Sequence, residues 1–255
     1  LISANKAYPC YCSTEELDQK RRDAQSKGLK PKYDGTCRNR LDKPNGVPFV
    51  IRFKIPLEGA VTVKDILRGN VVFKNEELDY LIILRTDGTP TYNFVVVVDD
   101  GDMGITHVIR GEDHISNTPK QILMYKALRL KVPKFAHLPM ILGQDKKRLS
   151  KRHGATGVQT YRDDGFQPEA LLNYLSLLGW NPGTEEEIMP FDEIIQKFDL
   201  TMVHKKSAVF DEKKLNWISG QHLSQQSNHT IFSNIKVINA NWGKSESQDF
   251  FLGVI

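Results

Sequence analysis

"TYNFVVVVDD", residues 91–100, governs how the middle of this chain is read. Four consecutive β-branched valines without polar alternation predict a strand buried on both faces, as in a parallel sheet. Downstream, "SNTPKQILMYKALRL" (116–130) predicts a helix, with polar caps at Ser116 and Asn117 and Pro119 in its first turn. "AHLPMIL" (136–142) predicts a second buried strand, and a basic loop, "GQDKKRLSKRHG" (143–154), leaves its end. Strand, helix and strand in this order predict a crossover unit with ligands at the strands' carboxyl ends.

Before this region, "CSTEELDQKRRDAQSKG" (12–28) carries a capping signal, Ser13 three residues ahead of Glu16, and predicts a polar, exposed helix ending at Gly28. "VPFVIRFKI" (47–55) alternates as a half-buried strand should, and "GAVTVKDIL" (59–67) and "NVVFKN" (70–75) continue that pattern. Residues 1–85 therefore predict a small α+β unit, closed by the loop "RTDGTP" (85–90). From about residue 157 the chain turns helical, in "PEALLNYLSLLGW" (168–180), "FDEIIQKFDL" (191–200) and "DEKKLNWIS" (211–219). The Ser-, Asn- and Gln-rich tail after 220 has no clear periodicity.

At 255 residues and 40% hydrophobic the chain has apolar material for more than one core. A formal charge of +4 permits a polyanionic partner without requiring one. No apolar stretch approaches the roughly 20 residues of a membrane span, and the start, "LISANKAYPC", has no leader-like character. The missing initiator Met predicts that the chain begins inside a longer protein. Three cysteines, an odd number, point to a reducing compartment rather than a secreted disulfide framework.

Three constellations carry chemistry. In the basic loop, a flexible lysine at a strand's end can reach a polyphosphate as a point charge, although such a heptamer also reads as solvated surface. In "HVIRGEDH" (107–114), Arg110, Glu112, Asp113 and His114 gather ionisable groups: either a structural ion-pair cluster, or a site where Arg110 binds a carboxylate through its planar fork. Tyr92 converges there or simply packs. Cys10 and Cys12, with Cys37 after a helix, form a partial thiolate set for zinc, with Tyr33 the nearest oxygen donor, or are incidental free thiols. The lone histidines His137 and His204 read as core or surface residues.

Taken together, "RLSKRHG" (148–154), "RTDGTPTYNFVVVVDDGDMGITHVIRGEDHISNTPKQ" (85–121) and "PEALLNYLSLLGW" resemble bacterial-type glutamyl-tRNA synthetases of class I. The resemblance runs from residue 7 to about 220. It implies an α/β protein: part of a Rossmann-like nucleotide fold (86–160), an inserted α+β domain for the tRNA acceptor end (1–85) and a helical stem-contact domain (161–255). It implies ATP with Mg2+, L-glutamate and tRNA(Glu) as partners of a cytoplasmic or organellar-matrix monomer. By motif, Lys151 is the catalytic, ATP-phosphate lysine, with Asp113 and His114 beside ATP. Tyr92 and Arg110 line the glutamate pocket. Two departures stand out. No counterpart of the family's first ATP signature occurs, which predicts that this stretch alone is inactive. Asn39 stands where zinc-binding members have histidine, so structural zinc would depend on Cys10, Cys12, Tyr33 and Cys37. Two alternatives remain: a glutamyl-queuosine tRNA(Asp) synthetase-like enzyme, against which "RTDGTPTYN" and "LLNYLSLLGW" stand, and a non-catalytic tRNA-binding fragment, favoured by Lys20, Arg21, Arg22, Lys27, Lys30 and Lys32.

Overall fold

A computed structural model describes residues 1–29, 31–42, 44–150 and 157–238. The chain divides into a first compact unit, Leu1–His137, and a second that starts at Leu138. The first unit opens with β1 (Ala7–Cys10) and α1 (Thr14–Ser26). Ser13 caps α1 as its sequence predicts: the Glu16 N–H donates to Ser13 Oγ, and the Ser13 N–H donates to the Glu16 carboxylate. After a turn-rich stretch come β2 (Val50–Phe53), β3 (Ala60–Asp65), β4 (Gly69–Lys74) and β5 (Ile82–Leu84). β2 pairs antiparallel with both β1 and β5. β3 and β4 form a hairpin in register from Ala60↔Lys74 to Asp65↔Gly69, and Gly69, at φ +75°, adopts the left-handed turn conformation that favours glycine.

The valine run is not a strand. Residues Tyr92–Asp102 form a helix, α2, with Thr91 at its N-cap position and the Thr91 hydroxyl donating to the Ile82 carbonyl. Valine costs about 0.5 kcal/mol relative to alanine in a helix, but fully burying one valine contributes about 1.5–3 kcal/mol. Val97 is fully buried in the core and Phe94 packs against it, while Val95, Val96 and Val98 are half-buried, so packing outweighs propensity. A strand buried on both faces would also have to bury Asp99 and Asp100, whereas in the helix Asp99 is exposed.

The crossover exists one element later. β6 (His107–Gly111) leads through a short 3-10 turn (Glu112–His114) into α3 (Thr118–Leu128), and the chain returns in β7 (Lys134–Leu138). Pro119 occupies the first turn of α3 as predicted, while Asn117 holds the N-cap position without a capping side-chain hydrogen bond. β7 is shorter than "AHLPMIL" implied; it stops before Pro139, which has no N–H to continue the ladder. The sheet order is β4-β3-β7-β6, with β3 and β7 parallel at Asp65↔Phe135. Val61, Val63, Ile122, Met124, Tyr125 and Phe135 fill the core beneath it. Within α2, Gly101 lets Leu130 approach: an added Cβ would come within 2.7 Å of the Leu130 side chain.

The second unit is helical: α4 (Val158–Asp163), α5 (Pro168–Leu177), α6 (Phe191–Lys197), α7 (Glu212–Ser224) and α8 (Asn228–Ile238). The tail without clear periodicity is thus helical as far as residue 238, where buried Ile231 and Phe232 anchor α8. α5 and α7 pack through Ala170, Leu171, Tyr174, Leu215 and Ile218. Asp211 caps α7 by accepting from the Lys213 and Lys214 N–H groups, and its own N–H donates to the Tyr174 phenol. Asn173 is fully buried; its Oδ1 accepts from the Met189 N–H at 3.0 Å and lies 2.8 Å from His222 Nε2. His222 therefore donates from Nε2, and burial holds its pKa below the ordinary value. Because the folded state resists protonation, its stability is intact above the unfolded histidine pKa and declines as pH falls below it. Urea unfolding of the second unit should show this loss setting in below about pH 6.5, by up to about 1.4 kcal/mol per pH unit. His222→Leu should flatten that slope.

Candidate functional site

The candidate functional residues of the first unit gather where β6, the 3-10 turn, α2 and α3 meet. Arg110 lies on β6 and is half-buried. Its Nη2 donates to Thr118 Oγ1 and to Gln121 Oε1, both at 2.7 Å, and its Nε donates to His137 Nε2 at 3.3 Å. Gln121 passes the direction on, donating to Asn93 Oδ1 on α2 at 2.9 Å. The Tyr92 phenol interacts with the same guanidinium, and its ring centre lies 6.2 Å from that of His114. Burial pulls Arg110 below the ordinary arginine pKa, an effect the Tyr92 phenol partly opposes. Arginine nevertheless stays charged at neutral pH. No carboxylate among the described residues lies within ion-pair distance of it. A half-buried guanidinium without an ion-pair partner has the charge and the planar fork to take an anion.

Sequence reading placed Tyr92, Arg110 and His114 near one another, and the structure brings them together. Asp113 sits exposed on the 3-10 turn beside them. Glu112, from the same run, is bound up with Arg68 of the β3–β4 turn in an ion pair, which is the structural role weighed for this cluster. Lys151 lies outside the described residues. The segment leading to it is described: Leu142 and Arg148 bridge antiparallel, the Leu149 N–H donates to the Ile141 carbonyl, and Lys146 and Lys147 are exposed.

Sequence reading missed the buried half of the site. His137 and the Asp65 side chain are fully buried, as are Thr118 and Gln121. A charged or hydrogen-bonding residue inside an apolar run, as in "KDIL" and "FAHL", was the available signal. Its meaning depends on a partner 72 positions away.

A cavity of about 540 Å3 adjoins this region, lined by Tyr92, Asn93, Tyr33, Tyr80 and by six cations: Lys20, Arg21, Lys32, Arg52, Arg85 and Lys120. Asp79 is the acidic residue of the lining.

A second cluster joins β1 to the loop after α1. The sulfurs of Cys10, Cys12 and Cys37 lie within 4.8 Å of one another, Cys12 and Cys37 at 3.6 Å. Tyr33 Oη stands 3.4 Å from Cys10 Sγ and 3.9 Å from Cys12 Sγ, and it accepts from the Cys37 N–H at 2.8 Å. A tetrahedral zinc with Zn–S near 2.3 Å would set its sulfurs about 3.8 Å apart. The four donors therefore fit such an ion. Burial pushes the Cys12 thiol up to about 12, with Cys37 as hydrogen-bond partner adding to it. Burial opposes ionisation of Cys37 too, but hydrogen bonds from the Tyr11 backbone, Tyr33 and the other two cysteines bring it below its usual value. The buried guanidinium of Arg52 stacks 4.0 Å over the Tyr33 ring, leaving its Nε without a partner. Tyr33 Oη, hydrogen-bonded to two of these sulfurs, is an oxygen donor beside the three thiols.

Comparison with known proteins bears on both sites. Residues 1–217 match the family described as tRNA synthetases class I (E and Q), catalytic domain. A glutamate–tRNA ligase of Geobacter sulfurreducens is 56% identical over 227 residues, which are 89% of this chain and 48% of that protein. A glutamate–tRNA ligase of Citrifermentans bemidjiense is 57% identical over 224 residues, 88% of this chain and 48% of that one. The chain thus spans about half the length of the curated relatives it matches. The crystal structure of a glutamate tRNA ligase from Elizabethkingia meningosepticum, in complex with its amino acid, superimposes with a TM-score of 0.87 at 35% identity, over 100% of this chain and 57% of that one. The crossover carrying Arg110, and the mixed sheet around it, are accordingly those of a Rossmann-like synthetase fold, and the chain belongs to the catalytic-domain family of class I tRNA synthetases for E and Q.

Proposed function

We propose that this protein activates L-glutamate with ATP and transfers it to tRNA(Glu). The observation that carries this reading is Arg110: a half-buried guanidinium held by Thr118 and Gln121, facing the Tyr92 phenol, with no carboxylate among the described residues within ion-pair distance. In the first step the α-carboxylate of glutamate attacks the α-phosphorus of ATP, forming the acyl-adenylate and expelling pyrophosphate, with Mg2+ accompanying the nucleotide. In the second, a hydroxyl of the terminal ribose attacks the acyl carbon and AMP departs. Arg110 and Tyr92 hold the glutamate, Asp113 and His114 stand on its ATP side, and Lys151 meets the charge that develops on the departing phosphates. Residues 1–85 receive the acceptor end, with the cation-lined cavity leading polyphosphate backbone toward Tyr92. Residues 86–160 carry the second part of the nucleotide fold, and the helices after 161 contact the stem. We place the protein as a monomer in the cytoplasm or an organellar matrix; among the described residues no helix is long and apolar enough to cross a membrane.

The test is tRNA-dependent ATP–pyrophosphate exchange by the complete protein, with glutamate and glutamine compared. A cation that binds carboxylate should favour glutamate by about a hundredfold or more in kcat/KM. Equal exchange with both amino acids, or exchange with another amino acid instead, would overturn the assignment.

The thiol cluster is proposed to hold a structural zinc ion through Cys10, Cys12, Cys37 and Tyr33. When bound, zinc ties β1 to the loop that carries Tyr33 and Cys37. Elemental analysis after dialysis should find one zinc per chain, and Cys37→Ser should reduce that to well under half. Because removal of a structural metal ligand also forfeits folding energy, the same variant should lower the melting temperature of the first unit by several degrees. Retention of full zinc by Cys37→Ser would sink the ligand set.

A further inference from the structure

Behind Arg110 lies a polar pair that the proposed reaction does not yet use. Asp65 ends β3, and its carboxylate accepts four hydrogen bonds. Oδ1 takes the Leu67 and Arg68 N–H groups at 3.0 and 2.9 Å, and Oδ2 takes the His137 N–H at 3.0 Å and approaches His137 Nδ1 at 2.6 Å. A carboxylate is an acceptor only, so Nδ1 must carry the hydrogen. Burial favours the neutral imidazole over the charged one and lowers the His137 pKa despite the Asp65 contact. Nε2 is then a lone-pair acceptor. Its two neighbours fit that role. Arg110 Nε–H points at it, and the Thr118 hydroxyl lies 2.9 Å away. Thr118 Oγ1 already accepts from Arg110 Nη2, so its own hydrogen goes to Nε2 at 2.9 Å or to the His114 carbonyl at 3.4 Å. Toward the ring the donors run one way: Arg110 to Thr118 and His137, and His137 to Asp65.

From this geometry we infer that Asp65 and His137 are positioning residues for amino-acid recognition: Asp65 fixes the Nδ1–H tautomer, and the free Nε2 then holds the inner edge of the Arg110 guanidinium so that its outer edge meets the substrate carboxylate. The inference rests on the reading of Arg110 as the carboxylate receptor. The charged groups around His137 are Asp65 on β3, Arg68 in the β3–β4 turn and Arg110 on β6, with Glu112 neutralising Arg68. Protonated His137 would present Nε2–H to Arg110 Nε–H, donor against donor and cation beside cation, so the arrangement works only with the neutral ring. Asp65 comes from the hairpin before residue 85, so that hairpin contributes to the amino-acid pocket as well as to the acceptor-end unit.

Three substitutions separate this from a merely structural role, assayed in the complete protein by pyrophosphate exchange between about pH 5.5 and 8.5. In Asp65→Asn, the turn N–H groups keep the oxygen on their side and the amide NH2 faces Nδ1. This forces the tautomer with hydrogen on Nε2, and KM for glutamate should rise about tenfold or more, the effect of losing a hydrogen bond to a charged group, while KM for ATP moves less than about twofold. His137→Asn keeps a donor near Asp65 but lacks the distal acceptor, and should raise KM for glutamate similarly. His137→Gln reaches further and restores an acceptor toward Arg110. It should return KM to within about threefold of the unsubstituted protein and, lacking a titrating ring, should abolish the rise in KM expected of the unsubstituted protein toward the acid end of that range, below the ordinary histidine pKa because burial lowers that of His137. If Asp65→Asn does not fold, the Asn and Gln variants at 137 decide alone. Arg110→Ala raising KM while Asp65→Asn and His137→Asn leave it unchanged would overturn this inference only. Equal impairment in His137→Asn and His137→Gln, with no shift in pH profile, would overturn it as well. No effect of Arg110→Ala on KM would overturn the parent reading and this inference with it.

Discussion

Arg110→Ala should lower kcat/KM for glutamate in pyrophosphate exchange by about a hundred- to a thousandfold. Truncating one partner of a buried, hydrogen-bonded charge pair costs about 2–5 kcal/mol, and each 1.36 kcal/mol is tenfold in rate. Here the lost cation also leaves the Thr118 hydroxyl, the Gln121 carbonyl and His137 Nε2 facing a hole, so some loss of stability should accompany the loss of recognition. Arg110→Lys separates the two contributions. Lysine keeps the charge but can replace neither the Nε–His137 bond nor the planar fork, so it should recover only part of the activity, with glutamate KM still raised. Discrimination against glutamine should fall in both variants, because the amide gains little from a cation that the carboxylate needs. Unchanged selectivity in a folded Arg110→Ala variant would remove Arg110 from the pocket.

Lys151→Ala should depress the rate of glutamate activation by about a hundred- to a thousandfold, the scale on which single donors to developing anionic charge act. The effect should fall on kcat more than on KM for ATP, since a lysine that meets charge only as pyrophosphate departs contributes to the transition state and not to ground-state binding. Lys147→Ala provides the control. Its side chain is exposed, and solvated surface charges contribute about 0–1 kcal/mol, so exchange should stay within about threefold. Rapid-quench measurement of adenylate formation distinguishes this step from transfer to tRNA. An unchanged activation rate in Lys151→Ala would return the basic heptamer to the plain solvated surface that its composition alone suggests.

How much of this was legible beforehand depended on the range of the physics. Ser13 and Glu16 cap α1 as read, because a capping box closes within one turn. The strand β3 was legible for a similar reason: alternation at period two records which face is buried, and β3 alternates exposed and buried residues along its whole length. Arg110 as a carboxylate binder, with Tyr92 converging on it, was read from the residues and again from motif resemblance, and the two side chains do meet. The valine run failed because its local signal and its tertiary environment disagree. β-branching favours a strand, but Thr91 can start a helix there, and the apolar face of that helix packs beside α3 and β5. The tail failed for the opposite reason, since Ser and Asn are weak helix formers and the burial of Ile231 and Phe232 is what anchors α8.

By itself, then, the amino-acid sequence determined the capped helix, the alternating strands, the motif set, and the cysteine spacing with Tyr33 as candidate fourth donor. Tertiary structure alone decided that the four valines lie in a helix and that Asp65 meets His137 behind Arg110. The reason is that each of these turns on the burial of a polar or branched side chain against partners distant in sequence. The energy of burial belongs to the assembled core, and no local stretch of the chain records it.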